Sequence, residues 1–188
     1  KLIKADNPEN IIFTKNATEA INLGIKGLLS RGDEIIISSM EHNSVLRSAV
    51  NMEKNGVTVK IAKADLDGYV SLREIESLIT KKTKMICVIH ASNIVGTVNP
   101  ISEISTLAHK HNIITLIDCA QTGGVLPIDA SNFDMLAFAG HKGLYGPFGT
   151  GVLYIRNGLN IETLIEGGTG SLSESALMPL SLPDRFEA

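Results

Sequence analysis

Short apolar runs alternate along the chain with segments in which apolar residues recur at helical spacing. Runs without a polar interruption, such as Met135 to Ala139, are typical of strands that are buried on both faces. The pattern predicts strands at about residues 11–13, 34–38, 57–62, 84–90, 113–118, 135–139 and 152–155. It predicts helices at about residues 17–29, 44–54, 71–80 and 103–110. This alternation indicates an α/β domain with a mostly parallel sheet of about seven strands.

The pattern changes near the end of the sequence. Residues 1–165 are periodic, and a chain of 188 residues is long enough to bury a sizeable core. Residues 166–188 are rich in Gly, Ser and Pro and show little periodicity. We therefore expect one domain over residues 1–165 and an irregular linker over residues 166–188.

The net charge, the apolar runs and the cysteines narrow the class of protein. The formal net charge of −3 gives no reason to expect a nucleic-acid partner. No apolar run approaches the roughly 18 residues that a membrane span needs, and the first residues lack the apolar core of a signal peptide. Cys87 and Cys119 lie inside apolar runs, outside any C-x-x-C pair. We expect buried thiols in a cytoplasmic protein, since a catalytic cysteine needs an exposed, electropositive site.

Polar side chains follow five of the predicted strands, at the points where these strands end. They are Thr18, His42, Asn93, Asp118 with Gln121, and His141 with Lys142. The carboxyl ends of parallel strands meet at one edge of a sheet, where open α/β domains bind their ligands. Gly140 ends the strand before Lys142, and the glycine-rich segment that follows predicts a tight turn.

Each of these residues alone has a simpler interpretation. A lysine or histidine in a loop is ordinarily solvated. Thr18 belongs to a helix that Asn16 and Glu19 are predicted to cap, and capping alone is the ordinary explanation for this segment. An aspartate at the end of a strand, such as Asp118, has three common roles: it caps the next segment, binds a metal or pairs with a cationic group of a ligand. Capping is the default interpretation. No second carboxylate or histidine lies at metal-ligand spacing, so we expect no metal site.

One ligand explains all five strand ends together. The N–H groups at the start of the helix near Thr18 suit a phosphate, and His42 suits a planar ring. Asp118 suits a basic ring nitrogen, and the amine of Lys142 suits an aldehyde. These properties describe pyridoxal phosphate, a cofactor that a lysine holds covalently and that pairs with an aspartate at its ring nitrogen.

Several motifs of the sequence resemble those of one known family. They are Thr-x-Asn-Ala-Thr-Glu-Ala-Ile-Asn at 14–22, Glu-His-Asn-Ser at 41–44, Ser-Asn-Ile-Val-Gly-Thr at 92–97, Asp-x-Ala-Gln at 118–121 and Gly-His-Lys at 140–142. In this order they resemble the class V aminotransferase-fold enzymes, and most closely the cysteine desulfurase and selenocysteine lyase subgroup. The resemblance covers essentially the whole chain. It implies the three-layer large domain of a fold type I pyridoxal-phosphate enzyme.

The resemblance also implies roles for the residues around the ring of the cofactor. Lys142 would bind the cofactor covalently and carry the proton at the Cα atom of the substrate. Asp118 would keep the ring nitrogen protonated, so that the ring accepts electrons from a developing carbanion. Gln121 would bond the phenolic oxygen, and His42 would stack on the ring face and assist proton transfer.

The same resemblance assigns the residues around the phosphate. The backbone N–H of Ala17, the side chain of Thr18 and His141 would hold the phosphate, and Asn93 would lie near the cofactor and the substrate carboxylate. Ala139 departs from the family, because many relatives carry a serine there that touches the phosphate. We expect its absence to weaken the phosphate site by one hydrogen bond, worth roughly 0.5–1.5 kcal/mol.

Gly143 and the length of the sequence are further departures from the family. Some desulfurases lack the glycine after the lysine, which indicates a different subgroup for this chain. Family members extend beyond both ends of this sequence, and their C-terminal small domain carries the catalytic cysteine and an arginine that binds the substrate carboxylate. Arg185-Phe186-Glu187-Ala188 matches the start of a motif whose next residues, Gly-Thr, reach the phosphate of the partner protomer. We therefore expect the large-domain part of a longer enzyme.

The resemblance implies a cysteine desulfurase-like enzyme, which cleaves the C–S or C–Se bond of L-cysteine or selenocysteine to give alanine and a persulfide. It also implies a homodimer with shared cofactor sites and a sulfur-acceptor protein as a partner. Another class V reaction, such as transamination or epimerisation, and a catalytically silent cofactor-binding fragment stay open, because substrate choice lies in residues outside this sequence. A nicotinamide-binding protein is disfavoured, since no G-x-G-x-x-G opens a helix after the first strand. We expect the isolated chain to be inactive.

Overall fold

The computed structural model describes residues 2–172 and 174–187, and within them the chain forms seven strands and four α-helices. The strands are β1 (Ile11–Thr14), β2 (Glu34–Ser38), β3 (Thr58–Ala62), β4 (Thr83–Ile89), β5 (Ile114–Asp118), β6 (Met135–Ala139) and β7 (Gly151–Ile155). The helices are α1 (Ala17–Leu28), α2 (Asn43–Glu53), α3 (Leu72–Leu78) and α4 (Ile101–Lys110), with short 3-10 turns at Pro8–Asn10 and Ala130–Asn132. No helix in this part of the chain is both long and apolar enough to cross a membrane.

The seven strands form one sheet in the order β1-β7-β6-β5-β4-β2-β3. From β6 to β3 all neighbours pair in parallel, whereas β7 lies antiparallel between β6 and β1. β1 therefore runs in the same direction as the parallel strands, and the carboxyl ends of β1 to β6 lie at one edge of the sheet. This topology confirms the predicted α/β domain with a mostly parallel seven-stranded sheet.

Helices cover both faces of the sheet. Ile35 and Ile37 of β2 belong to an apolar core with α1 and α2, and Ile36 belongs to a second core with α3 and α4. The same alternation continues in β4, β5 and β6, because successive side chains of a strand point to opposite faces. The domain consequently has three layers, as expected, and its central strands are apolar without interruption because water reaches neither face.

Two helices begin slightly earlier than their apolar patterns predicted. α2 begins at Asn43, because the ring of His42 acts as its N-cap and accepts the N–H of Ser44 at 3.1 Å. α4 begins at Ile101, two residues before the predicted start, directly after Pro100. In both cases the first turn contains polar residues, which an apolar pattern does not register.

A buried carboxylate, that of Asp134, fixes the strand that leads to Lys142. It accepts hydrogen bonds from the N–H and the hydroxyl of Thr115 in β5 at 2.8 and 2.9 Å. Nε2 of His109 in α4 lies 3.0 Å from one oxygen, and Arg156 after β7 lies 2.9 Å from the other. A buried charge with partners on several elements holds these elements in one arrangement. The start of β6 is therefore fastened to both neighbouring strands.

The described residues after 165 contain no helix or strand, which agrees with an irregular segment, although the domain boundary at residue 165 stays a prediction. Leu182 and Phe186 pack against the core on the α1 side of the sheet. The carboxylate of Glu187 accepts the N–H of Phe13 in the edge strand β1 at 2.7 Å. Ala188, the last residue of the motif that begins at Arg185, lies outside the described residues, as do Lys1 and Ser173.

Candidate functional site

A cavity of about 180 Å³ lies at the edge of the sheet where the parallel strands end. All eight predicted site residues line it, namely Ala17, Thr18, His42, Asn93, Asp118, Gln121, His141 and Lys142. They follow β1, β2, β4, β5 and β6, so the sheet topology collects residues that are far apart in the sequence. A larger groove of about 330 Å³ lies between Phe13 and Phe186, but the smaller cavity is the one that the eight residues share.

The N-terminus of α1 forms one end of this cavity. The side chain of Asn16 accepts the N–H of Glu19 at 2.9 Å, and its carbonyl accepts the N–H of Ala20 at 3.2 Å. A full capping box also requires the Glu19 carboxylate to accept the N–H of Asn16. Here it accepts the N–H of Lys15 instead, so the box is incomplete. The N–H groups of Ala17 and Thr18 precede the first bond within the helix and remain as donors at the cavity. Together with the positive end of the helix dipole they favour an anion.

Gly151 in β7 allows α1 to begin this close to the sheet. A Cβ atom at this position would lie 2.5 Å from the carbonyl carbon of Asn16 and 2.6 Å from its Cα atom. Real Cβ contacts are longer, so any other residue would push the start of α1 away from β7. The glycine therefore determines where the donors of Ala17 lie.

His42 sits at the rim of the cavity, with its ring held by Ser44. Nδ1 of His42 accepts the N–H of Ser44 at 3.1 Å and lies 2.8 Å from the Ser44 hydroxyl oxygen. Both residues line the cavity. Sequence reasoning did not assign Ser44 to the site, although it is the last residue of the Glu-His-Asn-Ser motif. The two bonds restrict the rotation of the ring that was predicted to cover a planar ligand.

Asp118 is a buried carboxylate at the floor of the cavity, with 2% of the residue exposed. Burial raises its pKa above the ordinary value. Three groups lower this pKa. The first is the N–H of Ala120, which donates to Oδ1 at 2.9 Å, and the others are the charges of Lys142 and His42. Asp118 thus caps the next segment, as the default interpretation required, and its negative charge also lies where a cationic ligand group would relieve the cost of burial.

The turn that carries Lys142 packs against the turn after β5. A Cβ atom on Gly143 would lie 2.5 Å from the carbonyl oxygen of Gly123. The extra glycine after the lysine therefore has a local reason, since a side chain would separate the two turns. The Lys142 carbonyl accepts the N–H of Tyr145 at 2.9 Å, which closes the turn behind the lysine.

His141 presents an unsatisfied nitrogen in the same cavity. Its Nδ1 atom is buried and forms no hydrogen bond with the described residues. The ring stacks on Phe148, with 4.9 Å between the ring centres and 29° between the planes. A buried polar atom without a partner costs free energy, so it indicates a ligand group at this position. Phe148 was missed from the sequence, which offered no signal except an aromatic residue in a glycine-rich turn.

The protein family of this chain follows from a comparison with known families. The model of the aminotransferase class-V family matches residues 1–188. The chain belongs to the class-V aminotransferase family. This confirms the resemblance inferred from the motifs, and pyridoxal phosphate is the cofactor of this family.

Proteins named as cysteine desulfurases are among the relatives of this class-V chain. It is 38% identical over 187 residues to a probable cysteine desulfurase of Methanothermobacter thermautotrophicus, an alignment that covers 96% of the chain and 47% of the relative. It is 39% identical over 174 residues to the cysteine desulfurase IscS of Clostridium botulinum, covering 89% of the chain and 43% of the relative. The chain thus spans about half the length of these curated relatives.

Solved structures of cysteine desulfurases share the fold. The apo structure of the enzyme from Thermococcus onnurineus superimposes with a TM-score of 0.91 at 35% identity, over 100% of this chain and 49% of that one. The class-V chain therefore has the expected large-domain fold of type I pyridoxal-phosphate enzymes.

The geometry of the cavity fits the cofactor of class-V enzymes. Backbone donors at Ala17 and the unsatisfied Nδ1 of His141 suit a phosphate, and the buried carboxylate of Asp118 suits a basic ring nitrogen. Lys142 supplies an amine at the wall of the cavity. Ala139, 4% exposed, also lines the cavity, so this position offers no side-chain hydroxyl to a phosphate.

Proposed function

We propose that this chain is the pyridoxal-phosphate-binding large domain of a cysteine desulfurase-like enzyme, with the domain over residues 1–165 and an irregular connection over residues 166–188. The complete enzyme would cleave the C–S or C–Se bond of L-cysteine or selenocysteine and produce alanine and a persulfide. The observation that carries the proposal is the single cavity that all eight predicted residues line. The names of the similar proteins, cysteine desulfurases, support the C–S reaction, and the C–Se alternative rests on the resemblance of the motifs.

When bound, pyridoxal phosphate supplies an electron sink for chemistry at the Cα atom of an amino acid. In this proposal the amine of Lys142 would hold the cofactor and move the Cα proton. The carboxylate of Asp118 keeps the ring nitrogen protonated. His42, held through Nδ1 by Ser44, would cover one face of the ring, and Gln121 would donate a hydrogen bond to the phenolic oxygen.

The phosphate end of the proposed site is built from different groups. The N–H groups of Ala17 and Thr18, the Thr18 hydroxyl and Nδ1 of His141 would donate to phosphate oxygens. Asn93, which is exposed at the mouth of the cavity, would lie near the cofactor and the substrate carboxylate. The two ends of the cavity thus suit the two ends of the cofactor.

We also propose that the complete enzyme is a cytoplasmic homodimer with shared cofactor sites, and that it passes sulfur to an acceptor protein. Tyr145 and Phe148 support a partner next to the site, because they are 95% and 86% exposed and lie on the turn that carries Lys142. Exposed aromatic residues beside a site are typical of contact surfaces. Cys87 and Cys119 are unpaired, which agrees with a reducing compartment.

Titration of the chain with pyridoxal phosphate tests the cofactor site. We expect saturable binding of one cofactor per chain, which is measured through the change in the absorption of the cofactor. Pyridoxal without the phosphate should bind at least roughly tenfold more weakly, since each hydrogen bond to a charged group is worth about 1.5–3 kcal/mol. Equal affinity for the two compounds would contradict the assignment of the α1 N-terminus as the phosphate site.

We expect the isolated chain, loaded with cofactor, to release neither alanine nor sulfide from cysteine in the presence of a reductant. Burial, and to a smaller extent the charges that Glu41 and Asp118 carry when they are ionised, raise the pKa of Cys87 well above its ordinary value. Burial and Asp118 also raise the pKa of Cys119. Neither sulfur is an exposed thiolate that could take sulfur from the substrate.

The variants Cys87→Ser and Cys119→Ser provide the control for this experiment. Both should give the same background as the unchanged chain, whereas a longer form of the protein with an accessible cysteine should turn over. Cysteine-dependent turnover that either substitution abolishes would show that the nucleophile lies inside this chain.

A further inference from the structure

Glu41 is a second carboxyl group close to the cavity that the proposed function leaves without a role. It lies between the end of β2 and the residue His42. Its Oε1 atom accepts the hydroxyl of Ser38 at 2.5 Å and the N–H of Ile89 at 2.9 Å. Its Oε2 atom is buried and forms no hydrogen bond with the described residues.

The hydrogen bond from the N–H of Ile89 to Glu41 takes the place of a bond between β2 and β4. The pairing of β2 with β4 ends at Ile37 and Cys87, so β2 supplies no partner for the last residues of β4. The side chain of Glu41 reaches across from the turn after β2 and takes the N–H of Ile89. In this way a carboxyl group closes the gap between the ends of the two strands.

Ile89 is the point at which this contact reaches the predicted catalytic carboxylate. It lies opposite Asp118 in the pairing of β4 with β5, and it lines the cavity. The next N–H, that of His90, donates to the carbonyl of Asp118 at 3.0 Å. The side chain of Glu41 therefore fixes the strand end against which Asp118 is placed.

We propose that Glu41 is a positioning residue for Asp118, acting as a neutral acid that joins the end of β2 to the end of β4. This inference rests on the proposed function for its consequence, the orientation of Asp118 toward the cofactor. A neutral acid keeps both of its hydrogen bonds to Ser38 and Ile89, while Asp118 stays the carboxylate that faces the ring nitrogen. An ionised Glu41 would place a second buried negative charge beside the first.

The electrostatic surroundings of Glu41 agree with this role. Burial raises the pKa of Glu41 to about 8, the bonds from Ser38 and Ile89 oppose the rise, and the charge of Asp118 adds to it. Cys87, on which Glu41 and Asp118 also act, is neutral because its own pKa is raised. The folded chain thus binds the Glu41 proton more tightly than the unfolded chain, in which a glutamate has a pKa of about 4.3.

The stability of the chain without cofactor gives the first test. Between the unfolded and the folded pKa of Glu41, stability falls as the pH rises, because the folded state binds the additional proton. We therefore expect the free energy of unfolding of the wild-type chain to fall more steeply between about pH 5 and pH 8 than that of Glu41→Gln. Equal slopes would overturn the neutral acid.

Hydrogen exchange of the same chain tests the positioning. The N–H of Ala120 donates to the Asp118 carboxylate, so its protection reports the orientation of Asp118. We expect Glu41→Ala to lower the exchange protection of both Ile89 and Ala120 at least about tenfold relative to the protection of the core strands. Glu41→Gln should keep both protections, because an amide oxygen can still accept the two hydrogen bonds.

The outcomes separate this inference from the proposed function. A loss confined to Ile89 would show that Glu41 is only a local structural contact, and Glu76→Ala, at an exposed position on α3, provides the control. Pyridoxal phosphate is then titrated into each variant, and only Glu41→Ala should bind it more weakly. If the wild-type chain does not bind pyridoxal phosphate, the proposed function fails, whereas the exchange of Ala120 still decides whether Glu41 positions Asp118.

Discussion

Replacing Lys142 by alanine is expected to abolish the covalent cofactor adduct that borohydride reduction would fix to the wild-type chain. Among the described residues that line the 180 Å³ cavity, Lys142 alone carries an amine. The turn behind it is closed by the bond from Tyr145 and packed on Gly123, so the amine is delivered to one place. A reacting group held in position gains a large advantage over amines that meet the aldehyde by diffusion.

Two variants make this experiment specific. Lys142→Arg keeps a positive charge near Asp118 but lacks the amine, so it should also give no adduct while it retains reversible binding. Lys15→Ala, at an exposed position beside α1, should give the same adduct as the wild-type chain. Peptide mapping after reduction locates the modified residue. An adduct distributed over several lysines, or one that persists in Lys142→Ala, would contradict the assignment.

The fold was predictable because its signals are local and repeated. The central strand β4 has water on neither face, so its apolar run from Met85 to Ile89 is continuous and distinct from the helical spacing before and after it. Once the strands are parallel, the position of the site follows as well. The carboxyl ends of β2 and β5 must meet at one edge, which is why the sequence alone is enough to place His42 and Asp118 together.

The contacts that tune the site could not be predicted in this way. The stacking of Phe148 on His141 and the bond from Glu41 to Ile89 join loops whose paths depend on the completed sheet. Neither contact has a periodic pattern or a fixed spacing in the sequence. The close approach of Gly143 to Gly123 could not be predicted either, because the only sign of it in the sequence is an extra glycine.

The burial of the Asp118 carboxylate is visible only in the structure, and we expect a substitution of this residue to change cofactor binding strongly. Asp118→Asn should weaken pyridoxal phosphate binding by roughly tenfold to a hundredfold, since a hydrogen bond to a charged group is worth about 1.5–3 kcal/mol. A neutral side chain also leaves the ring nitrogen unprotonated, so the complete enzyme should lose most of its turnover. Binding would be measured by titration at neutral pH.

The stability of the Asp118→Asn chain without cofactor should change in the opposite direction. Because burial raises the pKa of Asp118, the stability that its protonated form provides is lost as the pH rises above the ordinary aspartate pKa of about 3.9. Asparagine does not titrate, and its side-chain oxygen can still accept the N–H of Ala120. We therefore expect the variant to be the more stable chain at neutral pH, with an advantage that disappears in acid. Asp67→Asn, at an exposed position, is the matched control and should change neither quantity. If Asp118 served only as a cap, the substitution would leave the affinity for pyridoxal phosphate unchanged.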